Sequence, residues 1–140
     1  MDVENHLYPT QSRVTALLTD DSADRVVMLN LLKFREKAEY PDGRASDLSG
    51  RAAYHLYGAA MQAIVENNGG RVLFGGDIAS AVIGEVGELW DTCVLVEYPS
   101  AAAFATLVAS PEVMEASIHR AAGLEGQLLL RVAQRDAILS

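Results

Sequence analysis

The stretch VVMLNLLKFREKAEYPDGR, residues 26–44, decides the fold because it begins as a buried strand and ends as a charged connection. Its first nine residues are mostly apolar on both alternating sides, which is typical of a strand covered on both faces. Asn30 interrupts this run. A buried amide must be hydrogen-bonded, because leaving it unpaired costs roughly 1–3 kcal/mol. Asn30 is therefore either a ligand contact in a cleft or an amide that neighbouring groups satisfy.

Length and composition indicate one globular domain. The chain has 140 residues, of which 50% are hydrophobic and 21% are charged, and a chain of this size can bury a core without disulfides. Its net charge of −8 argues against nucleic-acid partners and acidic membrane surfaces, because both require clustered Lys and Arg. The first residues are polar and acidic, and no apolar run approaches about 20 residues. We therefore expect a soluble cytoplasmic protein.

Cysteine and histidine usage gives no sign of a metal or a cofactor. The one cysteine, Cys93, excludes an intramolecular disulfide and lies in an apolar run that is typical of a core strand. The three histidines are scattered along the chain without metal-ligand spacing. We expect no metal site and no cofactor.

The remaining pattern predicts an N-terminal helical arm over residues 1–23 and a single domain over residues 24–140. The predicted elements of the domain are strand 25–34, helix 51–68, strand 71–84 with a break or bulge at Gly75-Gly76, strand 90–98, helical segments that begin at 101 and 111, and strand 126–134. The order β-α-β-β-α-β is that of the ferredoxin-like α+β fold. This fold has a four-stranded antiparallel sheet with its helices on one face.

Both faces of the predicted sheet are apolar, although two helical segments can cover only one of them. In the first strand Val26 and Met28 point to one side, and Val27 and Leu29 point to the other. A bare face of this kind exceeds the apolar patches that soluble monomers expose. At about 25 cal/mol per Å², burying several hundred Å² contributes on the order of ten kcal/mol. We therefore expect a homodimer that pairs through its sheet faces.

Seven segments of the chain are similar to one uncharacterised family. They are VVMLNLLKFREKAEYPDGR, LSGRAAYHLYG, GGRVLFGGD, IGE, WDTCVLVEYPSAAAF, SPEV and HRAAGLE, between Val26 and Glu125. In order and spacing they resemble the family named domain of unknown function 1330. The resemblance implies a dimeric α/β barrel, a superfamily that includes cofactor-independent monooxygenases and isomerases. It implies this fold without a specific reaction.

Seven residues are candidates for chemistry. The catalytic candidates are Asn30, Tyr54, Asp77 and His119, and the ligand-binding candidates are Tyr57, Phe74 and Arg120. Tyrosine hydroxyls donate protons or orient a substrate, carboxylates and imidazoles move protons, and arginine binds carboxylates. Each also has a structural alternative: the tyrosines pack in the core or the interface, Asp77 caps a bend, and His119 forms a surface pair with Glu115.

Three functions stay open at this point. The first is a cofactor-independent enzyme, monooxygenase- or isomerase-like, that acts on a small organic substrate held between the helices and the sheet. The second is a homodimer that binds such a molecule without catalysis, and the third is a purely structural homodimer. In the first two, the charged segment 35–50 would act as a lid.

Overall fold

The computed structural model describes residues 2–135, and its sheet and helices have the predicted order. The elements are α1 (Gln11–Leu18), β1 (Val26–Phe34), α2 (Gly50–Asn67), β2 (Arg71–Asp77), β3 (Thr92–Tyr98), α3 (Ala101–Val108), α4 (Pro111–Gly123) and β4 (Leu124–Ala133). The strands form one antiparallel sheet in the order β2-β3-β1-β4. This topology confirms the ferredoxin-like α+β prediction. Within the described residues, every helix is too short or too polar to cross a membrane.

The helices begin where hydroxyl side chains cap them. Thr10, Ser100 and Ser110 precede α1, α3 and α4, and each side-chain oxygen accepts a main-chain N–H three residues later. Ser49 caps α2 in the same way. These bonds satisfy main-chain donors that the first turn of a helix leaves open. The starts of these helices therefore follow from local sequence.

β2 is shorter than predicted, and its irregularity lies at another position. The strand ends at Asp77, and residues 78–91 form a connection without helix or strand. The register against β3 shifts between Val72 and Phe74, so the predicted bulge at Gly75-Gly76 is wrong. A bulge sets two residues against one and changes the side to which the next residue points. Phe74 consequently pairs with Leu95.

The helices cover one side of the sheet, which we call the helix-facing side. Val26 and Met28 of β1 pack there with Met61 and Val65 of α2 in the main core. Leu32, which has the same alternation as Met28, is completely buried. The even-numbered residues of β1 therefore point towards the helices.

The opposite side of the sheet, which we call the outer face, is apolar and uncovered by the helices of this chain. Its apolar residues on β1, β2, β3 and β4 are Val27, Leu29, Leu31, Phe74, Cys93, Leu95, Leu128, Leu130 and Val132, and the Arg71–Glu97 ion pair lies at one end of them. Leu130 and Val132 are 45% and 42% exposed, which is high for strand residues of this type. The described chain therefore has the second apolar face that its sequence predicts.

Segment 35–50 is held against the end of α4. The main-chain N–H groups of Arg35 and Glu39 donate to the oxygens of Gly123 (2.8 Å) and Ala122 (2.9 Å). Tyr40 is buried in the same contact. These bonds argue against the interpretation of this segment as a lid.

The N-terminal arm lies along β4 at the edge of the sheet. His6 and Gln127 exchange two main-chain hydrogen bonds of 3.2 Å and 3.0 Å. Trp90 Nε1 donates to Asn5 Oδ1 at 2.7 Å, which joins the arm to the β2–β3 connection. α1 packs against α3 through the helix layer. The arm thus protects an edge strand and leaves the outer face open.

α2 and α4 approach closely at two glycines. A Cβ atom at Gly123 would lie 2.4 Å from the Gly50 oxygen and 2.8 Å from the Tyr54 nitrogen, and one at Gly50 would lie 2.7 Å from the Gly123 oxygen. Non-bonded carbon atoms do not approach main-chain atoms this closely, so neither position has room for a side chain. The contact also sets how near Tyr54 lies to α4.

Gly123→Ala should lower the free energy of unfolding by about 1–3 kcal/mol, because its methyl group would press into the main chain of α2. Gly58→Ala is the matched control: nothing lies within 4 Å of a Cβ at Gly58, and alanine favours a helix over glycine by roughly 0.5–1 kcal/mol. Urea denaturation measures both effects. A Gly123→Ala protein as stable as the parent would contradict the close contact.

Candidate functional site

A hydrogen-bond chain crosses the helix-facing side of the sheet from α4 to β3. Arg120 Nη2 donates to Gln127 Oε1 at 2.8 Å, and Gln127 Nε2 donates to Asn30 Oδ1 at 2.8 Å. Asn30 Nδ2 donates to the main-chain oxygens of Val94 at 3.2 Å and Met28 at 3.3 Å. Because a guanidinium can only donate, Arg120 fixes the orientation of both amides.

Asn30 is satisfied inside the protein. It points to the helix-facing side, and its oxygen and its nitrogen both have partners in the chain of bonds. Its donors already reach two main-chain oxygens, so they are not free for a developing negative charge on a substrate. The geometry therefore favours the second of the two alternatives: Asn30 holds Gln127 in place.

Tyr54 and Tyr57 of α2 form an aromatic cluster with Phe34 beside this chain. The ring centroids of Tyr54 lie 5.4 Å from Tyr57 and 5.5 Å from Phe34. Within residues 2–135 neither tyrosine hydroxyl has a hydrogen-bond partner. Burial raises the pKa of both hydroxyls, and the positive charge of Arg120 opposes this rise. Both hydroxyls are therefore neutral near pH 7 and can donate a hydrogen bond.

Arg120 differs from most other arginines of the described chain because it lacks a carboxylate partner. The ion pairs of the others are Arg25–Glu97, Arg35–Glu39, Arg44–Asp42, Arg51–Asp77, Arg71–Glu97 and Arg131–Asp20. Arg120 is half-buried, and Nη2 donates to two neutral acceptors, Gln127 and the main-chain oxygen of Leu7. Its Nη1 and Nε have no hydrogen-bond partner in residues 2–135. A half-buried cation without an anion is incompletely compensated.

Two of the predicted proton-transfer residues are bonded elsewhere. His119 Nδ1 and the Tyr40 hydroxyl lie 2.7 Å apart, with the rings edge to face. Asp77 is exposed and accepts hydrogen bonds from Arg51 and Thr92, both at 2.9 Å, which lower its pKa. Neither residue belongs to the series of hydrogen bonds from Arg120 to Asn30.

Phe74 lies on the outer face because of the β2 bulge. Phe74 is 57% exposed, and its ring lies over Gly76, where a Cβ would be 3.0 Å from the ring. The sheet separates it from Arg120 and the two tyrosines. The structure thus groups Asn30, Tyr54, Tyr57 and Arg120, and it places Phe74, Asp77 and His119 apart from them.

Sequence reasoning missed Gln127, the central residue of the hydrogen-bond chain from Arg120 to Asn30. Its side chain is polar in a run of apolar residues, and only 8% of it is exposed. That interruption is the same signal that drew attention to Asn30. The main-chain oxygen of Leu7 was also missed, and no sequence pattern identifies a main-chain acceptor that lies on a distant segment.

A separate hollow lies on the surface beside segment 35–50. Its lining residues are Arg35, Glu36, Lys37, Glu39 and Glu125. The hollow is open and carries charges of both signs, of which Arg35 and Glu39 pair at 3.3 Å. Across residues 2–135, no three His, Cys, Asp or Glu side chains are arranged to hold a metal ion.

The fold and the site define an α+β protein with a polar cluster between its helix layer and its sheet. The chain belongs to the family described as domain of unknown function (DUF1330), whose model matches residues 44–132. This match confirms the resemblance found in the sequence. None of the curated proteins matches the chain.

Solved structures support the same assignment. A protein of unknown function from Rhodopseudomonas palustris is 33% identical, with 96% of this chain and 100% of that chain covered and a TM-score of 0.84. A methylated form of that protein gives 35% identity, coverage of 94% and 96%, and a TM-score of 0.84. The hydroxynitrile lyase from Passiflora edulis is 13% identical, with 84% and 99% covered and a TM-score of 0.54, which shows the fold alone.

Tyr54→Phe should remove a component of the ultraviolet tyrosinate absorbance that the parent protein shows only well above pH 10, the ordinary tyrosine pKa being 10.0. Since the pKa in the folded state is raised, the folded protein holds this proton more tightly than the unfolded chain. The resulting stabilisation is complete below pH 10 and is lost as the pH rises through the folded-state pKa. Tyr8→Phe, at an exposed ring, should leave the component in place; an identical titration of the Tyr54 variant would contradict its burial.

Proposed function

We propose that this protein is a homodimer that binds a small organic molecule between α2, α4 and the helix-facing side of the sheet. One observation carries the proposal: α4 approaches Tyr54 closely at Gly123, the charge of Arg120 acts on the hydroxyls of Tyr54 and Tyr57, and within residues 2–135 neither these hydroxyls nor Nη1 and Nε of Arg120 have a hydrogen-bond partner. Small-molecule sites combine apolar and aromatic walls with a few polar groups that fix orientation. The aromatic cluster and the unpaired donors fit that description.

The unpaired donors of this site are not completely buried. Among the described residues, Arg35 Nε is the fully buried side-chain nitrogen or oxygen that has no hydrogen-bond partner. The tyrosine hydroxyls and the free nitrogens of Arg120 also lack partners, so they are not sealed from water. A bound molecule with acceptor oxygens would replace that water and satisfy the same donors.

Binding without catalysis fits the geometry better than a cofactor-independent monooxygenase- or isomerase-like reaction. Such reactions need a base within hydrogen-bond reach of the substrate. The candidate bases Asp77 and His119 are bonded to other residues, and a raised pKa keeps Tyr54 and Tyr57 protonated, so neither acts as a base near pH 7. The likeness to the hydroxynitrile lyase carries no residue of its site to this chain.

The homodimer is supported by the outer face. Its apolar side chains occupy all four strands, and the arm and helices within residues 2–135 lie elsewhere. A second copy that packs its own outer face against this one would bury both apolar surfaces at once. The face is self-complementary in that sense, as a twofold interface requires.

Leu130→Asp should convert the dimer into a monomer, because it places a charge in the centre of the proposed interface. Analytical ultracentrifugation should give about 30 kDa for the parent, twice the chain mass of 15.0 kDa, and about half of that for the variant. Leu56→Asp is the matched control, since Leu56 is 49% exposed on α2 against 45% for Leu130. A monomeric parent at micromolar concentration, or dissociation caused by the control alone, would contradict the sheet-face dimer.

A small organic molecule that binds at the proposed site should shift the side-chain amide resonances of Asn30 and Gln127, because both amides are bonded in series to Arg120. Nuclear magnetic resonance with nitrogen-15-labelled protein and a mixed library of acidic, basic and neutral compounds measures this. The side-chain amide of Asn68, bonded to the Ile64 oxygen at the end of α2, serves as the control resonance. If a compound binds but shifts only resonances other than those of the Asn30 and Gln127 amides, the proposed location of the site is wrong.

A further inference from the structure

We propose that the natural ligand is an organic monocarboxylate with an aromatic or apolar body, bound by Arg120 together with Tyr54 and Tyr57. This inference rests on the proposed function and names the chemical class for that same site. It follows from the charge, the free donors and the aromatic side chains that the cluster combines.

Charge is the first reason. The chain carries 19 acidic residues and 11 Lys and Arg residues, so it repels anions in general. Acidic side chains are nevertheless absent from the hydrogen-bond partners of Arg120 within residues 2–135, whereas six other arginines have one. The guanidinium is held by two neutral acceptors and the ring of Tyr8, whose centroid lies 5.7 Å from Cζ, so it retains its full charge for a ligand. An anionic ligand group would accept hydrogen bonds from this guanidinium and balance its charge.

The free N–H donors of Arg120 favour a ligand that carries one negative charge. Both hydrogens of Nη2 are engaged by Leu7 and Gln127, which leaves the three N–H donors of Nη1 and Nε. A single guanidinium balances one negative charge. The tyrosine hydroxyls add neutral donors for the second carboxylate oxygen, and they do not repel it because they are protonated. A dianion such as a phosphate monoester would need a second cation, and Arg120 is the cation whose charge acts on both tyrosine hydroxyls.

The aromatic rings of the cluster favour a ligand with an aromatic or apolar body. Phe34, Tyr54 and Tyr57 lie in sequence along the cluster with centroid separations of 5.5 Å and 5.4 Å. Aromatic side chains at this spacing present apolar faces and edges to a neighbouring ring. The carboxylate would lie at Arg120 and the apolar part against these rings.

The chain of amides keeps Arg120 in position. Gln127 accepts from Arg120 and is itself held by Asn30, whose nitrogen is anchored on main-chain oxygens of β1 and β3. Arg120 therefore does not depend on a flexible surface contact for its orientation. Asn30 and Gln127 are positioning residues in this scheme, and Arg120 is the residue that contacts the ligand.

The test compares benzoate with benzamide, which have similar size and shape and differ in charge. In resonance titrations that follow the Asn30 and Gln127 amides, benzoate should bind at least tenfold more tightly than benzamide. Arg120→Gln should reduce the benzoate/benzamide ratio to about one. Arg120→Lys should keep part of the preference, because it keeps the charge and loses the planar donors.

The matched control is Arg13→Gln, which makes the same change in net charge at an exposed position on α1. It should leave the ratio unchanged. If Arg120→Gln does not fold, Tyr54→Phe and Tyr57→Phe provide the second measurement, and each should weaken benzoate binding several-fold with less effect on benzamide. Loss of the preference in the Arg13 variant would assign it to general electrostatics and overturn the proposal.

The two proposals fail in different ways. If benzamide and other neutral compounds shift the Asn30 and Gln127 amides as strongly as benzoate does, the carboxylate class is wrong and the binding site stands. If no compound of the mixed library shifts these amides, the proposed function fails, and the carboxylate inference fails with it.

Discussion

β1 lies between β3 and β4 and carries apolar side chains on both of its faces. The rest of the structure follows from the need to bury both of these apolar faces. α2 and α3 bury its even-numbered side, where Met28 and Leu32 are almost inaccessible. The odd-numbered side has no cover from the helices in the described part of the chain, and this uncovered apolar surface is the basis of the proposed homodimer.

Asn30 is the exception on the buried side, and its partners explain how a polar residue is tolerated there. Its side chain makes three hydrogen bonds, one from Gln127 and two to main-chain oxygens, so burial leaves none of its donors unpaired. The same bonds connect the centre of the sheet to Arg120 on α4. Asn30, which the sequence suggested as a catalytic residue, therefore supports the charged side chain of Arg120 through Gln127.

The helices and the site share a second constraint, the glycine contact between α2 and α4. Without side chains at Gly50 and Gly123, the helix main chains come within van der Waals distance. This brings Tyr54 of α2 close enough to α4 for the charge of Arg120 to act on its hydroxyl. The chemistry of the cluster thus depends on two positions that carry no functional group.

Local sequence determined the elements of this protein and the apolar character of both sheet faces. Helix caps such as Thr10, Ser100 and Ser110 act over three residues, and strand alternation acts over two, so both can be read directly. The family resemblance then implied the fold. The position of the β2 bulge was missed, because several neighbouring residues could accommodate it.

Tertiary structure alone decided which polar residues meet. Asn30 and Gln127 are 97 residues apart, and their contact depends on the register of β1 against β4. His119 and Asp77 looked available until Tyr40 and Arg51 were brought to them from distant segments. Hydrogen bonds and ion pairs act over a few ångströms in space, whatever the separation along the chain, so the composition of the site follows from packing and not from sequence spacing.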